Sequence, residues 1–120
     1  MKKYILAISV LVAVSLGGFY FWTQKSSGQR NQQLDSFAQC LAEKKVTMYG
    51  AYWCAHCQNQ KKLFGSSFRY VPYVECTKDV QKCQEKQIKG YPTWIFEDGH
   101  RIEGEVNLEK LAQYSGCKLE

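Results

Sequence analysis

The residues best suited to chemistry in this 120-residue chain are Cys54 and Cys57, two cysteines separated by two residues. Such a pair can close a small disulfide ring and exchange it with other thiols. The pair lies between a strand-like apolar stretch, 46–53, and a helix-like stretch, 58–64. The start of a helix offers unpaired N–H groups and a partial positive charge, which favour a thiolate there. Cys54 is therefore the candidate nucleophile.

Two plainer roles for this pair are a structural disulfide and one half of a zinc site. A zinc site takes about four ligands, usually completed by a second Cys or His pair at similar spacing. The sequence has no second C-x-x-C and no H-x-x-x-H. No metal is predicted, and a structural disulfide remains an alternative.

The composition indicates an oxidising compartment and argues against a nucleic-acid partner. Six cysteines are many for so short a chain, and outside the cytosol they indicate disulfides. The net charge is +5, but the lysines are scattered instead of forming a basic patch, so no nucleic acid is predicted as a partner. Without its first residues the chain is long enough for one small domain, of about 85 to 90 residues.

The N-terminal segment differs from the rest of the chain. Lys2 and Lys3 precede 4–22, nineteen residues without a charge. A helix of that length spans about 28 Å, close to the thickness of a bilayer's hydrocarbon core. We expect a signal-anchor in the lipid bilayer that is not cleaved, with 1–3 in the cytoplasm. A cleaved signal peptide is the alternative, although its apolar region is usually shorter and ends in an A-x-A-like site.

The remaining residues predict a flexible tether and a domain with eight elements. Residues 23–33 are polar and rich in Ser, Gln and Gly, which is typical of a tether, and the domain follows at 34–120. Two crossovers predict parallel strands, and a terminal hairpin adds antiparallel ones. The predicted order α-β-α-β-α-β-β-α comprises 33–44, 46–52, 54–64, 71–76, 79–88, 93–97, 101–104 and a last helix capped by Asn107 and ending at Gly116.

This order, with Gly90-Tyr91-Pro92-Thr93 before the hairpin, resembles the thioredoxin fold. The resemblance implies an α/β domain with a mixed four-stranded sheet flanked by helices. It also implies a cis bond at Pro92, which faces the cysteines, and backbone around Tyr91 and Thr93 that pairs with the substrate chain. A plain turn proline is the alternative. Trp53 is expected either to shape the docking surface or to lie in the core.

A narrower resemblance covers roughly residues 35–117. The blocks 48–58, 62–65, 71–76 and 90–95 look like the thioredoxin-like domain fused to bacterial and plant homologues of vitamin K epoxide reductase. In that family the domain passes electrons from substrate thiols to a membrane-embedded, quinone-reducing part. This chain lacks the multi-helix part, so the resemblance implies a separate membrane partner. The quinone is expected on that partner, with no cofactor bound here.

Three residues bear on the direction of the reaction. Cys57 lies one helical turn inside and is expected to resolve a mixed disulfide. Thioredoxin-fold proteins with histidine at the place of His56 tend to be oxidants, because a positive charge stabilises the thiolate. A passive surface histidine is the alternative. Reducing thioredoxins carry a buried aspartate six residues before the first cysteine, and this chain has Met48 there.

The other four cysteines allow three pairings. In the thioredoxin topology Cys76 ends the second strand on the active-site side, and Cys83 lies early in the next helix. Cys40 and Cys117 end the first and last helices at the opposite pole. Cys76–Cys83 and Cys40–Cys117 are the preferred structural disulfides, and a redox relay through Cys76–Cys83 is the alternative.

Together these features predict a membrane-tethered thiol–disulfide oxidoreductase on the extracytoplasmic side, in the periplasm or thylakoid lumen. It would oxidise the thiols of secreted or membrane proteins through the disulfide of Cys54 and Cys57. It would then pass electrons to a vitamin K epoxide reductase-like membrane protein. The rivals are a tethered reductase or isomerase, for example in cytochrome c maturation, and a non-catalytic thioredoxin-fold binding module.

Overall fold

The computed structural model describes residues 1, 4, 8–21 and 28–119, which divide into two compact units, Met1–Gln32 and Gln33–Glu120. Helix α1 is Lys2–Glu43. The remaining helices are α2 (Ala55–Phe64), α3 (Val80–Glu85) and α4 (Leu108–Ser115), and the strands are β1 (Thr47–Gly50), β2 (Tyr73–Glu75), β3 (Thr93–Ile95) and β4 (Arg101–Glu103).

Two predictions for the N-terminal region are not supported. In the described part of the chain no helix is both long and apolar enough to cross a membrane. Residues 5–7 and 22 of the predicted anchor at 4–22 lie outside that part. Of the predicted tether, residues 23–27 also lie outside it, and residues 28–33 are helical. Glutamine and arginine, which dominate 28–33, favour helix well enough to continue α1.

The sheet has the order β2-β1-β3-β4. Strand β1 pairs parallel with β2 and antiparallel with β3, and β4 completes the antiparallel hairpin. The prediction that the second crossover gives a parallel strand is therefore wrong. The chain leaves β2 at Glu75, which lies opposite Gly50, and enters β3 at Thr93, which lies opposite Tyr49. Since the chain passes through the short helix α3 and stays at the same end of the strands, β3 runs back in the reverse direction.

Local sequence explains the ends of the helices that frame the site. Cys54 is the N-cap of α2, and Gly65 ends that helix with a positive φ of 54°. A 3-10 segment at Gly65–Tyr70 follows, which the sequence did not predict. Asn107 caps α4 by accepting a hydrogen bond from the Lys110 N–H.

The core forms two clusters. The first includes Met48, both cysteines of the C-x-x-C pair and the buried Trp94, and the second includes Tyr49 and Ile95. Because successive strand residues point to opposite faces, Met48 and Tyr49 mark the two faces of the sheet. Two disulfides add covalent links, Cys40–Cys117 and Cys76–Cys83, which agree with the preferred pairing.

Candidate active site

Cys54 and Cys57 are free thiols at the start of α2. Cys54 has extended backbone angles, φ −77° and ψ 116°, and its Sγ accepts a hydrogen bond of 3.2 Å from the Cys57 N–H. This N–H is one of those that a helix start leaves unpaired, and it favours negative charge on the sulfur that it contacts. Cys54 is 7% exposed and Cys57 is 1% exposed. An incoming sulfur therefore reaches Cys54 more readily.

A cis peptide bond between Tyr91 and Pro92 lies beside Cys54. The Cys54 thiol donates to the Tyr91 carbonyl oxygen, 3.6 Å away. The Thr93 hydroxyl donates to the Gly90 carbonyl at 2.8 Å, and Thr93 is buried. The structure therefore brings the Tyr91–Pro92 turn to the redox pair, whereas Thr93 lies in β3, opposite Tyr49 and Glu103.

Two aromatic side chains form an exposed surface before the pair. Trp53 is 62% exposed and Tyr52 is 68% exposed, so the core alternative for Trp53 is wrong. The Trp53 ring meets the Tyr91 ring edge to face, with 5.9 Å between ring centroids. Sequence reasoning had not singled out Tyr52 as a site residue. These rings provide a rigid apolar surface next to Cys54, of a kind common in protein-binding sites.

His56 has a partner that the sequence did not reveal. Its Nδ1 lies 2.5 Å from Glu105 Oε1, and Asn59 donates to the same oxygen at 3.2 Å. The hydrogen bond from His56, followed by the one from Asn59, holds the pKa of Glu105 below its ordinary value. Glu105 lies 49 residues from His56, and no local pattern signals such a pair. Any positive charge on His56 thus has a carboxylate beside it.

The surroundings of Cys57 keep its thiol neutral. Burial, followed by the hydrogen bond with Cys54, raises the pKa of Cys57 to about 12. The sulfur packs against Gly50, since a Cβ added to that glycine would lie 2.9 Å from Cys57 Sγ. Met48 is fully buried in the same cluster and offers no proton acceptor.

A polar group on β2 lies on the same face of the sheet. The Tyr73 hydroxyl donates to Glu75 Oε2 at 2.7 Å, and Lys61 Nζ lies 3.7 Å from the centroid of the Tyr73 ring. Glu75 Oε1 accepts hydrogen bonds from the Thr77 hydroxyl and from the backbone N–H groups of Thr77 and Tyr52. Sequence reasoning missed this group. Its only signal was the two-residue spacing, which places both β2 side chains on one face.

Charge and hydrogen bonding act on these two β2 side chains in opposite directions. Burial, followed by the hydrogen bond to Glu75, raises the pKa of Tyr73 above its ordinary value. Burial also pushes the pKa of Glu75 upward, but hydrogen bonds from Tyr73, Thr77 and Tyr52 outweigh it, and the net pKa is lowered. Tyr73 therefore holds its proton, and Glu75 is a carboxylate at neutral pH.

The other four cysteines are in disulfides away from this chemistry. Cys76 and Cys83 are both buried, in the cluster with Tyr49 on the face of the sheet opposite Met48. A buried disulfide exchanges slowly with thiols in solution because it is hard to reach. Within residues 1, 4, 8–21 and 28–119 no three or more His, Cys, Asp or Glu side chains are grouped as metal ligands.

Comparison with known proteins adds two relatives and one solved structure. The chain is 36% identical over 110 residues to thiol-disulfide oxidoreductase LTO1 of Arabidopsis thaliana. This alignment covers 84% of this chain and 29% of that protein. It is 33% identical over 94 residues to the thioredoxin domain-containing protein 5 homolog of Drosophila melanogaster. That alignment covers 67% of this chain and 22% of the Drosophila protein. The X-ray structure of Fasciola hepatica thioredoxin aligns with a TM-score of 0.46 and 22% identity, over 59% of this chain and 76% of that chain.

The chain thus spans less than a third of the length of either relative. No family model matches it. The match to the Arabidopsis protein is long enough that it necessarily includes the segment from Cys54 to Pro92.

Proposed function

The chain has a thioredoxin-like α/β fold, and on that premise we propose that it is a thiol–disulfide oxidoreductase in which Cys54 and Cys57 carry the reaction. One observation carries the proposal. Cys54 Sγ sits between the Cys57 N–H and the Tyr91 carbonyl, at the edge of the exposed Trp53 surface. The similarity to the Arabidopsis protein, which is named a thiol-disulfide oxidoreductase, supports the same activity.

The reaction proposed is the oxidation of a substrate dithiol. A substrate thiolate attacks Cys54 Sγ of the Cys54–Cys57 disulfide, a new S–S bond forms, and Cys57 leaves with the electron pair and takes up a proton. A second substrate thiolate then attacks the substrate sulfur of this mixed disulfide and releases Cys54. The substrate loses two electrons and gains a disulfide, and the chain ends as two thiols.

Two features favour oxidation as the direction. The start of α2 directs the Cys57 N–H at Cys54 Sγ, and a hydrogen bond that favours negative charge on this sulfur favours the reduced pair and makes the disulfide a stronger oxidant. Met48 is buried where reducing thioredoxins carry an acid. The acid through which reducing thioredoxins deprotonate their second cysteine is therefore absent from that position.

A reduced pair needs an electron acceptor before it can act again. The sequence resemblance supports a vitamin K epoxide reductase-like membrane protein, which would take two electrons from Cys54 and Cys57 and pass them to its quinone. The substrates proposed are the thiols of secreted or membrane proteins. Both are proposals for the whole protein, since the chain spans only a fraction of its relatives' length.

The location proposed is an oxidising, extracytoplasmic compartment such as a periplasm or thylakoid lumen. The disulfides Cys40–Cys117 and Cys76–Cys83 support it, because structural disulfides persist where glutathione does not reduce them. A tether to the bilayer through 4–22 is the finer part of this proposal. The uncharged sequence of that segment supports it, as do the exposed apolar side chains of Leu11, Val14 and Phe19.

One observation favours the reverse direction. Glu105 lies against His56, so the imidazole does not act on Cys54 as an uncompensated positive charge. A less stabilised thiolate makes the dithiol a better reductant. A tethered reductase or isomerase is therefore the second candidate.

Trapping of a mixed disulfide tests the proposed activity. The full chain carrying Cys57→Ala is mixed with a disulfide-containing model protein, and products are separated on non-reducing gels and identified by mass spectrometry. We expect a stable adduct through Cys54, because no second thiol is present to resolve it. The matched control, Cys54→Ala, should form far less adduct, since Cys57 is buried. Equal adduct from the two variants, or none from either, would refute the assignment.

A further inference from the structure

Cys57 must gain and lose a proton in every cycle, yet it is buried. It leaves as a thiolate when the disulfide opens, and it must be a thiolate again to attack when the disulfide reforms. In reducing thioredoxins a buried acid six residues before the first cysteine exchanges this proton. In this chain that position is Met48, whose thioether cannot accept it. Another group must therefore exchange the proton.

The Tyr73 hydroxyl is placed for this task. Tyr73 lies directly opposite Met48 in the parallel pairing of β1 and β2. The polar side chain is therefore on the strand next to the one that carries the acid in reducing thioredoxins. A Cβ added to Gly50 would lie 2.9 Å from Cys57 Sγ and 3.3 Å from the Tyr73 hydroxyl oxygen. The two atoms thus pack against one glycine and cannot be farther apart than the sum of these two distances. A separation within that bound allows a direct hydrogen bond after a small rotation, or one bridging water.

Glu75 gives the Tyr73 hydroxyl a second partner nearer to solvent. The hydroxyl donates to Glu75 Oε2 at 2.7 Å, and Glu75 is half-buried. The carboxylate is itself held by the Thr77 hydroxyl and by backbone N–H groups of Thr77 and Tyr52. A fixed carboxylate at this point can take a proton from the tyrosine and release it to water.

We propose that Tyr73, held by Glu75, is the proton-transfer residue of Cys57. The inference rests on the proposed function, since it concerns the proton of the same redox pair. When the pair is oxidised, the proton passes from Cys57 Sγ to the Tyr73 oxygen while the Tyr73 proton passes to Glu75 and then to solvent. When the disulfide opens, the same protons move in reverse to the leaving Cys57 thiolate. No electrons move in this step, and the two transfers together leave Tyr73 neutral.

The charges around Cys57 fit this assignment. From α2 it is faced by Cys54 and by Lys61, whose ammonium lies 3.7 Å from the centroid of the Tyr73 ring. From β2 it is faced by Tyr73, whose hydroxyl donates to Glu75. Lys61 lowers the cost of a negative charge shared between the thiol and the hydroxyl. The pKa of Tyr73 is raised by burial, then by Glu75 and by the charge of both cysteines.

The competing role for Tyr73 is packing alone. Its ring meets the Phe68 ring edge to face, with 5.7 Å between centroids, and it packs against the main core. Tyr73→Phe keeps the ring and removes only the hydroxyl, so it separates the two roles. Tyr49→Phe is a matched control, because Tyr49 is a buried tyrosine of the neighbouring strand on the opposite face of the sheet.

The experiment measures resolution of a preformed mixed disulfide between Cys54 and glutathione in the full chain, by rapid acid quench and mass spectrometry from pH 6 to 10. We expect Tyr73→Phe to slow the attack of Cys57 by about 10²-fold at pH 7, the lower end for general acid–base catalysis, and to make the rate rise steadily with pH. Tyr49→Phe should follow the wild type. Glu75→Gln should show a smaller loss with the same change in pH profile, which gives a second test if Tyr73→Phe folds poorly.

The possible failures are distinguishable. If the wild type resolves the mixed disulfide and both Tyr73→Phe and Glu75→Gln keep its rate and pH profile, the proton-transfer role is wrong and the proposed function stands. If the wild type itself forms or resolves no mixed disulfide through Cys54, the proposed function fails and this inference fails with it.

Discussion

The imidazole of His56 and the carboxylate of Glu105 form a hydrogen-bonded pair, with 2.5 Å between Nδ1 and Oε1. His56 lies in the first turn of α2, beside the Cys54 that caps this helix. The start of α2 is expected to stabilise a Cys54 thiolate, and it therefore also has the Glu105 carboxylate nearby. A histidine between two redox cysteines is thus, in this chain, one half of a charge pair.

Glu105→Gln is expected to make the Cys54–Cys57 disulfide more oxidising. The substitution removes a negative charge near the Cys54 thiolate and keeps a hydrogen-bonding group beside His56. Because the pair is exposed and screened by salt, we expect the potential to become more positive by less than about 30 mV, which is less than tenfold in the equilibrium constant. Equilibration with glutathione measures it, and His56→Gln should shift the potential the opposite way. A more negative potential for Glu105→Gln would contradict this account of the pair.

The stability of the reduced protein should fall in alkaline solution more than that of the oxidised protein. The folded state raises the pKa of Cys57 from 9.0 to about 12, so the folded protein holds this proton more tightly than the unfolded chain does. That contribution is complete below about pH 9 and is lost as the pH rises toward 12. Urea unfolding of both redox forms at pH 8 and pH 10.5 measures the difference. Parallel decreases would show that Cys57 is not shifted.

Gly50→Ala should disturb the redox pair. The added methyl would meet Cys57 Sγ at 2.9 Å and the Tyr73 ring at 3.2 Å, and overpacking of this kind costs about 1–3 kcal/mol. The control is Gly90→Ala, where the added methyl meets nothing within 4 Å and the backbone needs no positive φ. We expect that control to stay within about 0.5 kcal/mol of the wild type. Denaturant unfolding compares them, and equal stabilities would mean that Cys57 is not packed against Gly50.

The two structural disulfides should contribute unequally to stability. Cys40–Cys117 closes a loop with a sequence separation of 77, and Cys76–Cys83 one with a separation of 7. Loop-closure entropy predicts that the first disulfide adds about 4–5 kcal/mol to the free energy of unfolding and the second about 2–2.5 kcal/mol. Double alanine variants at each pair, unfolded with denaturant while Cys54 and Cys57 are kept reduced, test the order. A larger loss from the shorter loop would show that packing around Cys76 and Cys83 outweighs chain entropy.

Local patterns predicted the elements but not how all of them pair. The sequence located α4 because Asn107 can cap it and Gly116 can end it in a left-handed conformation, and both do so. It assigned the wrong direction to β3, because no local pattern records at which end of its neighbours a strand begins. The 3-10 segment at Gly65–Tyr70 was missed because Gly65 reads equally well as a break.

Some features of the candidate site are visible in the sequence, and others arise only when the chain folds. The spacing of Cys54 and Cys57 and the turn at Pro92 are visible in the sequence, since each depends on a few adjacent residues. Partners such as Glu105 for His56 depend on loops that meet only in the folded chain. Glu75 and Tyr73 gain their meaning from the pairing register, which sets them opposite Gly50 and Met48.

The reduction potential of the Cys54–Cys57 pair tests the central claim most directly. The full chain is equilibrated in glutathione buffers of known poise, and the fraction of free thiol is read by alkylation and mass spectrometry, with the two structural disulfides as internal references. If the protein is an oxidant, the potential lies between about −120 and −200 mV, in the range of disulfide-forming thioredoxin-fold proteins. A value near about −270 mV, like that of thioredoxin, would contradict the oxidant assignment and favour the reductase.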